Sequence, residues 1–178
     1  MPKRSRGFPP IAAPDACVLI LGSLPGQASL AARQYYAQPH NAFWRIMGAL
    51  FDAGPDRPYD ARLVRLQQCR VAVWDVCRAA TRPGSLDASI DLASVIPNDF
   101  DPFFAAHPRI RAVFANGGTA TRLYRRLVQP ALAEPARRLP LHALPSTSPA
   151  HASLRFEQKL ERWKAVTTVL SAGDGDAA

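Results

Sequence analysis

Cysteine is scarce in this chain: Cys17, Cys69 and Cys77 form an odd set of three with no C-x-x-C spacing. That argues against a disulfide framework and against a four-cysteine metal cluster, and it fits buried thiols in a reducing compartment. Lysine is equally rare, with Lys3, Lys159 and Lys164 as the only three among 22 basic residues. No stretch approaches the roughly 18 consecutive apolar residues of a membrane span. The basic start, Met1 to Arg6, runs into Gly-Phe-Pro-Pro and not into the apolar segment of a signal peptide, so the expected location is the cytoplasm. Neither a Walker phosphate loop nor a dinucleotide fingerprint is present.

What remains is the make-up of one α/β domain. The 178 residues are 48% apolar, enough for a sizeable core. The formal charge is +8 and the pI about 10.1, the electrostatic footprint of a polyanion binder. An Arg-, Ala- and Pro-rich chain also follows from a GC-rich genome, so charge alone does not decide function. No repeat or long linker interrupts the pattern. Residues 1–14, with four prolines, read as an N-terminal arm, 15–171 as the domain, and 172–178 as a frayed tail.

The pattern alternates strands with helices. Ala16 to Gly22 is a continuous apolar run ending in glycine, as in a buried parallel strand. Asn41 can cap a helix that buries Phe43, Trp44, Met47 and Leu50. A helix over about 60–68 leads to the strand Val71 to Asp75. Asn98 and Asp99 open a helix with Phe100, Phe103 and Phe104 inward, before a third strand, Ile110 to Ala115. Gly117-Gly118 starts a helix carrying Leu123, Leu127 and Val128, and Leu139 to Leu144 is a fourth strand. The last helix, from about Ser153, places Phe156, Leu160, Trp163, Thr167 and Leu170 on one core-facing stripe. The expected fold is a three-layer α/β/α sandwich with a four-stranded, mainly parallel sheet. Ligands on such sheets sit beyond the C-terminal strand ends: after Gly22, Trp74, Ala115 and Leu144.

Unusual residues stand at those places. They are Gly22-Ser-Leu-Pro-Gly26, Gln34-Tyr-Tyr-Ala-Gln-Pro-His-Asn-Ala-Phe-Trp44, Trp74-Asp-Val76, Gly84-Ser-Leu-Asp87 and Leu144-Pro-Ser-Thr-Ser-Pro-Ala150. In this order and over most of the chain, the ensemble resembles the uracil-DNA glycosylase superfamily. Within it, the ensemble is most similar to the hypoxanthine-DNA glycosylase (DNA-deoxyinosine glycosylase) branch. The resemblance implies a uracil-DNA glycosylase-like fold and an enzyme that flips a deaminated base, hypoxanthine first, out of DNA and hydrolyses its N-glycosidic bond.

It also implies roles for residues. Tyr36 falls where relatives stack an aromatic on the flipped base, against the plainer reading of a tyrosine lining the fold. Gly22, Ser23, Leu24, Pro25 and Gly26 form the loop whose N–H groups suit the anionic leaving base or a phosphate. Many relatives place a water-positioning Asp or Asn where Leu24 stands, and leucine cannot do that work. The branch resemblance points instead to Asn41, which can orient water without being a base; its plainer role is a helix cap. Asp75 stands where uracil-specific relatives read the base, and a carboxylate can accept the N1–H of hypoxanthine. A structural cap or an ion pair with Arg78 is the alternative for Asp75. Ser146, Thr147 and Ser148 suit DNA phosphates, and Ala150 and His151 stand where relatives carry the wedge that fills the vacated stack. Asn116 reads as a turn residue and His142 as core or sheet-end.

No lysine lies in a motif, so the expectation is a monofunctional glycosylase acting as a monomer on DNA, with no metal and no organic cofactor. Two alternatives share these motifs: excision of uracil or of deaminated bases broadly, and, because of Leu24, a catalytically silent nucleic-acid-binding module. A weaker third is a hydrolase of free nucleosides using the same cleft.

Overall fold

The computed structural model describes residues 4–173. Among the described residues seven strands are present: β1 Arg4–Arg6, β2 Val18–Gly22, β3 Val71–Asp75, β4 Cys77–Thr81, β5 Ile96–Pro97, β6 Ala112–Asn116 and β7 Leu141–Leu144. The helices are α1 Gln27–Ala32, α2 Phe43–Phe51, α3 Tyr59–Gln68, α4 Phe100–Ala106, α5 Gly118–Leu123, α6 Phe156–Trp163 and α7 Ala165–Ala172.

The central sheet has the order β3-β2-β6-β7, and all its pairs are parallel. Every residue of β2, β3 and β6 is buried, as the unbroken apolar runs require when both faces are covered. Side chains alternate between two cores. Val18, Ile20, Val71, Val73 and Phe114 face α2, α3, α6 and α7, whereas Leu19, Leu21, Ala72, Trp74 and Val113 face α4 and α5. The expected three-layer sandwich is therefore present. From β2 the chain crosses to β3 on one side and returns to β6 on the other. The C-terminal ends of β2 and β6 are thus the switch point, where a crevice opens.

A second, three-stranded antiparallel sheet, β1-β4-β5, was not legible in the sequence. It forms because the chain runs past Asp75 with one intervening residue, Val76, into β4, where Ala79 pairs with both Arg6 and Ile96. This sheet orders the arm from residue 4 onwards. Beyond it the Phe8 carbonyl accepts from Trp74 Nε1 at 3.0 Å and the Pro9 carbonyl from the Tyr35 hydroxyl at 2.9 Å. The arm thus braces the residues immediately before Asp75 and Tyr36.

Two helices differ from expectation. After Leu123 the chain widens into a π-turn, Tyr124–Val128, which turns Tyr124 and Val128 inward and leaves Leu127 exposed. The last helix is broken at Lys164, whose carbonyl accepts from the hydroxyls of Thr167 and Thr168. The stripe therefore passes through Trp163, Val166 and Leu170, with Lys159 also buried, and Thr167 is only half-buried. Of the tail, 174–178 lie outside the described residues.

Phe114, fully buried on β6, fills the layer between the sheet and the C-terminal helices. Replacing it with alanine is expected to cost about 3–5 kcal/mol, read as a lower urea midpoint at unchanged slope. A loss under about 1 kcal/mol would contradict this packing.

Candidate functional site

The four parallel strands end at one cleft of about 430 Å³. The loop after β2, the end of β3, the turn after β6 and the loop after β7 all contribute to it. So do Tyr36 and Asn41 from the segment between α1 and α2, and residues 85–88 from the loop after β4.

At its floor, Gly22 ends β2 beside Asp75, its register partner on β3. A Cβ at Gly22 would collide with Asp75 Oδ1 and lie 2.9 Å from the Tyr36 hydroxyl. Glycine is required here by close approach. Tyr36 itself adopts φ +54°, a left-handed conformation that costs a side-chain-bearing residue on the order of 1–2 kcal/mol. Phe43 covers one face of its ring at 3.9 Å between centroids and 20° between planes. Tyr36 still lines the cleft, so the ring lies as a shelf on an aromatic base.

Asp75 is the most perturbed acid of the site. Burial, with a smaller push from the Asp87 carboxylate, raises its carboxyl to about 7, and Arg82 opposes this. No bond joins it to Arg78, which is exposed, and its Oδ2 has no hydrogen-bond partner. The ion-pair reading of Asp75 is therefore replaced by that of a buried acceptor facing the cleft. The Tyr36 hydroxyl is likewise buried without a partner, and burial and the Asp75 charge raise its pKa. Two orphan polar atoms side by side mark where a ligand's polar edge fits.

The Asn41 Oδ1 accepts from the Phe43 N–H at 2.9 Å, tying down the start of α2. Ala42, not Asn41, is the residue at the cap position. One amide oxygen lone pair and both Nδ2 protons remain for the cleft, so the structural and catalytic roles use different parts of one group. The Leu24 side chain is buried and packs in the second core.

Behind that loop stands Arg82, which was not singled out from the sequence. Its guanidinium, 1% exposed, donates to the Leu24 and Pro25 carbonyls and pairs with Asp87 at 3.0 Å. Ser85 Oγ accepts the Gln27 N–H at 3.0 Å. The Gly84-Ser-Leu-Asp87 motif, noticed but given no role, thus locks the loop after β2 in place. Only its position before that motif pointed to Arg82.

The loop after β7 is held as firmly. Asn116 Nδ2 donates to Thr147 Oγ1, and Asn116 Oδ1 accepts the Thr147 N–H, both at 2.9 Å. The Thr147 carbonyl accepts from Ala42 N–H, the Pro145 carbonyl from Trp163 Nε1, and the Ser148 carbonyl from Lys159 Nζ. Two readings change accordingly. Asn116 is a clamp and not merely a turn residue. Thr147, 1% exposed, accepts from Asn116 through its hydroxyl oxygen, so its side chain is turned into that clamp. Ser146 and Ser148 accept backbone N–H groups two residues on, which leaves their O–H protons free to donate outward. Ala150, His151 and the exposed Arg122 also line the cleft. His142 stacks on Phe114, as a sheet-end residue. No group of three or more potential metal ligands occurs among the described residues.

Known proteins are similar to this chain in sequence and fold. The family described as the uracil DNA glycosylase superfamily matches residues 9–167. Over 116 residues the chain is 38% identical to a hypoxanthine DNA glycosylase of Methanosarcina acetivorans, covering 65% of this chain and 72% of that one. It is 36% identical over 117 residues to a hypoxanthine DNA glycosylase of Methanosarcina barkeri, covering 64% and 72%. The fold superposes on a solution NMR structure of a candidate uracil DNA glycosylase from Methanosarcina acetivorans. The TM-score is 0.77 at 32% identity, over 95% of this chain and 99% of that one.

Two outcomes follow from the floor of the cleft. Gly22→Ala is expected to destabilise the protein by about 1–3 kcal/mol, measured by urea unfolding, because Asp75 and Tyr36 must both move. The Asp75 carboxyl titrates higher folded than unfolded, so ionisation penalises the fold as pH rises from 3.8 to about 7. Asp75→Asn should therefore gain stability relative to wild type across that window, with a constant gap above it. A gap independent of pH would show that the carboxyl is not shielded.

Proposed function

Because this chain belongs to the uracil DNA glycosylase superfamily, we propose that its cleft receives a deaminated base flipped from DNA, hypoxanthine foremost, and hydrolyses the N-glycosidic bond. Similarity to two hypoxanthine DNA glycosylases supports the hypoxanthine preference. The observation that carries the reading is the pairing of an aromatic shelf, Tyr36, with an unpartnered buried acceptor, Asp75. Ionised Asp75 accepts the N1–H of hypoxanthine, whereas adenine presents a lone pair at N1 in place of that donor.

In the reaction the bond between N9 and the sugar C1′ breaks and its electron pair leaves with the base. A water oxygen bonds to C1′, its surplus proton goes to solvent or to the departing base, and an abasic sugar remains. Asn41 orients that water through its free lone pair or its Nδ2 protons. Since an amide cannot deprotonate water, the rate rests chiefly on holding the developing charges in a desolvated site. Leu24 contributes packing, and the polar work falls to Asn41 from the neighbouring segment. The Gly22–Gly26 loop and the Ser146 and Ser148 hydroxyls receive the leaving base and the DNA backbone, with Arg122 as a further phosphate contact.

Lys159 lies behind the loop after β7, its amine on the Ser148 carbonyl and its pKa lowered by burial. It does not line the cleft, which favours a monofunctional enzyme that stops at the abasic site. We read the protein as a monomer acting where its DNA is, in the cytoplasm. No described helix is long and apolar enough to cross a membrane.

Labelled duplexes carrying one hypoxanthine, uracil or xanthine, treated with protein and then alkali, test this reading. Wild type should cut at hypoxanthine fastest. Asn41→Ala should lose about 100-fold or more while still binding DNA. Binding without cleavage at any base would identify a silent nucleic-acid module instead, and cleavage of free nucleosides without DNA a different hydrolase.

A further inference from the structure

Four large apolar side chains stand well exposed among the described residues: Val64, Leu86, Leu92 and Leu127. Only one of them, Leu86, lines the cleft. It is 56% exposed, and its loop gives it no way to retreat. On one side Ser85 is tied to the Gln27 N–H; on the other Asp87 is paired with the buried Arg82. The Leu86 carbonyl accepts the Ser89 N–H at 3.0 Å, and Gly84 at φ +70° makes the turn that leads in. A pinned loop that holds a leucine in water at the mouth of a binding cleft gains nothing from it in the free protein.

Across the mouth, the loop after β7 offers less apolar bulk. Ser146 and Ser148 are polar, Ala150 ends in one methyl group, and His151 is half-exposed and polar. Yet a base drawn into the cleft leaves a hole in the stack, and proteins that unstack DNA fill such holes with Leu, Ile, Met, Phe or Pro.

We propose that Leu86 is the wedge: its side chain enters the duplex as the base leaves and occupies the vacated space, while the polar loop around Ser146 and Ser148 grips the backbone from the opposite rim. This rests on the glycosylase reading and assigns it a stack-filling residue outside the loop where Ala150 and His151 were expected to serve. Because Arg82 ties the Leu86 loop to the Leu24–Pro25 carbonyls, the wedge and the base-receiving loop are one rigid unit.

The test is single-turnover excision from two duplexes with the full chain and its L86A, L86M and H151A variants. In the first, hypoxanthine stands opposite thymine. In the second, it stands opposite a pyrene nucleotide, whose bulk expels the base without help. L86A should fall about tenfold or more on the first and stay within about twofold of wild type on the second, with L86M close to wild type on both. A merely structural loss would lower both substrates alike and is not rescued by pyrene. Equal loss on both, no loss on the first, or a larger loss in H151A than in L86A would each overturn the proposal. Wild-type protein that cuts neither duplex would instead bring down the glycosylase reading on which it stands.

Discussion

The site depends on an absence, the missing side chain at Gly22. The space a Cβ would fill is taken by the Asp75 carboxylate from the neighbouring strand and the Tyr36 hydroxyl from the segment beyond α1. Parallel pairing of β2 with β3 sets Gly22 and Asp75 side by side, and the buried strands permit no slip, because a shift of one residue would exchange the two cores. The close approach also explains why both groups are perturbed. Out of water, the Tyr36 hydroxyl and the Asp75 Oδ2 lack a hydrogen-bond partner among the described residues, so their polarity is left for whatever enters the cleft.

Around this floor, buried polar groups serve as fasteners. Arg82 carries the loop after β2 on its guanidinium, and Asn116 carries the loop after β7 through a two-bond clamp on Thr147. Thr147 in turn holds Ala42, one residue from Asn41. The segment bearing Tyr36 and Asn41 is thereby bound to the far rim, and stacking of Tyr36 on Phe43 binds it to the first core. A cleft built from several separate segments thus behaves as one preorganised surface, which a reaction without a general base requires.

Much of this was legible in the sequence, and the exceptions have physical reasons. Apolar runs ending in Gly22, Asp75 and Ala115 revealed the buried parallel strands, because strands covered on both faces show no alternation. Strands β1, β4 and β5 were hidden: at two to five residues, with Arg and Ala prominent, they carry no periodicity. Leu127 misled because a π-turn breaks the 3.6-residue repeat, and the last helix looked continuous because threonine side-chain bonding leaves no mark on hydrophobic spacing. The site's motifs placed Gly22, Tyr36, Asn41 and Asp75 in one cleft. Thr147 and Asn116 were misjudged for one reason: a polar residue at a strand end looks the same whether it faces a ligand or a neighbouring loop. Arg82 escaped notice because an isolated arginine reads as surface in a chain so rich in arginine.

The central claim is that Tyr36 and Asp75 together form the seat of the flipped base. The most direct measurement is a crystal structure of the protein on a duplex carrying 2′-fluoro-deoxyinosine, whose sugar resists cleavage. The account predicts hypoxanthine lying on the open face of Tyr36, with its N1–H on an Asp75 carboxylate oxygen and C1′ within reach of a water held by Asn41. A base left in the stack, or one seated elsewhere with Asp75 and Tyr36 still unpartnered, would contradict it.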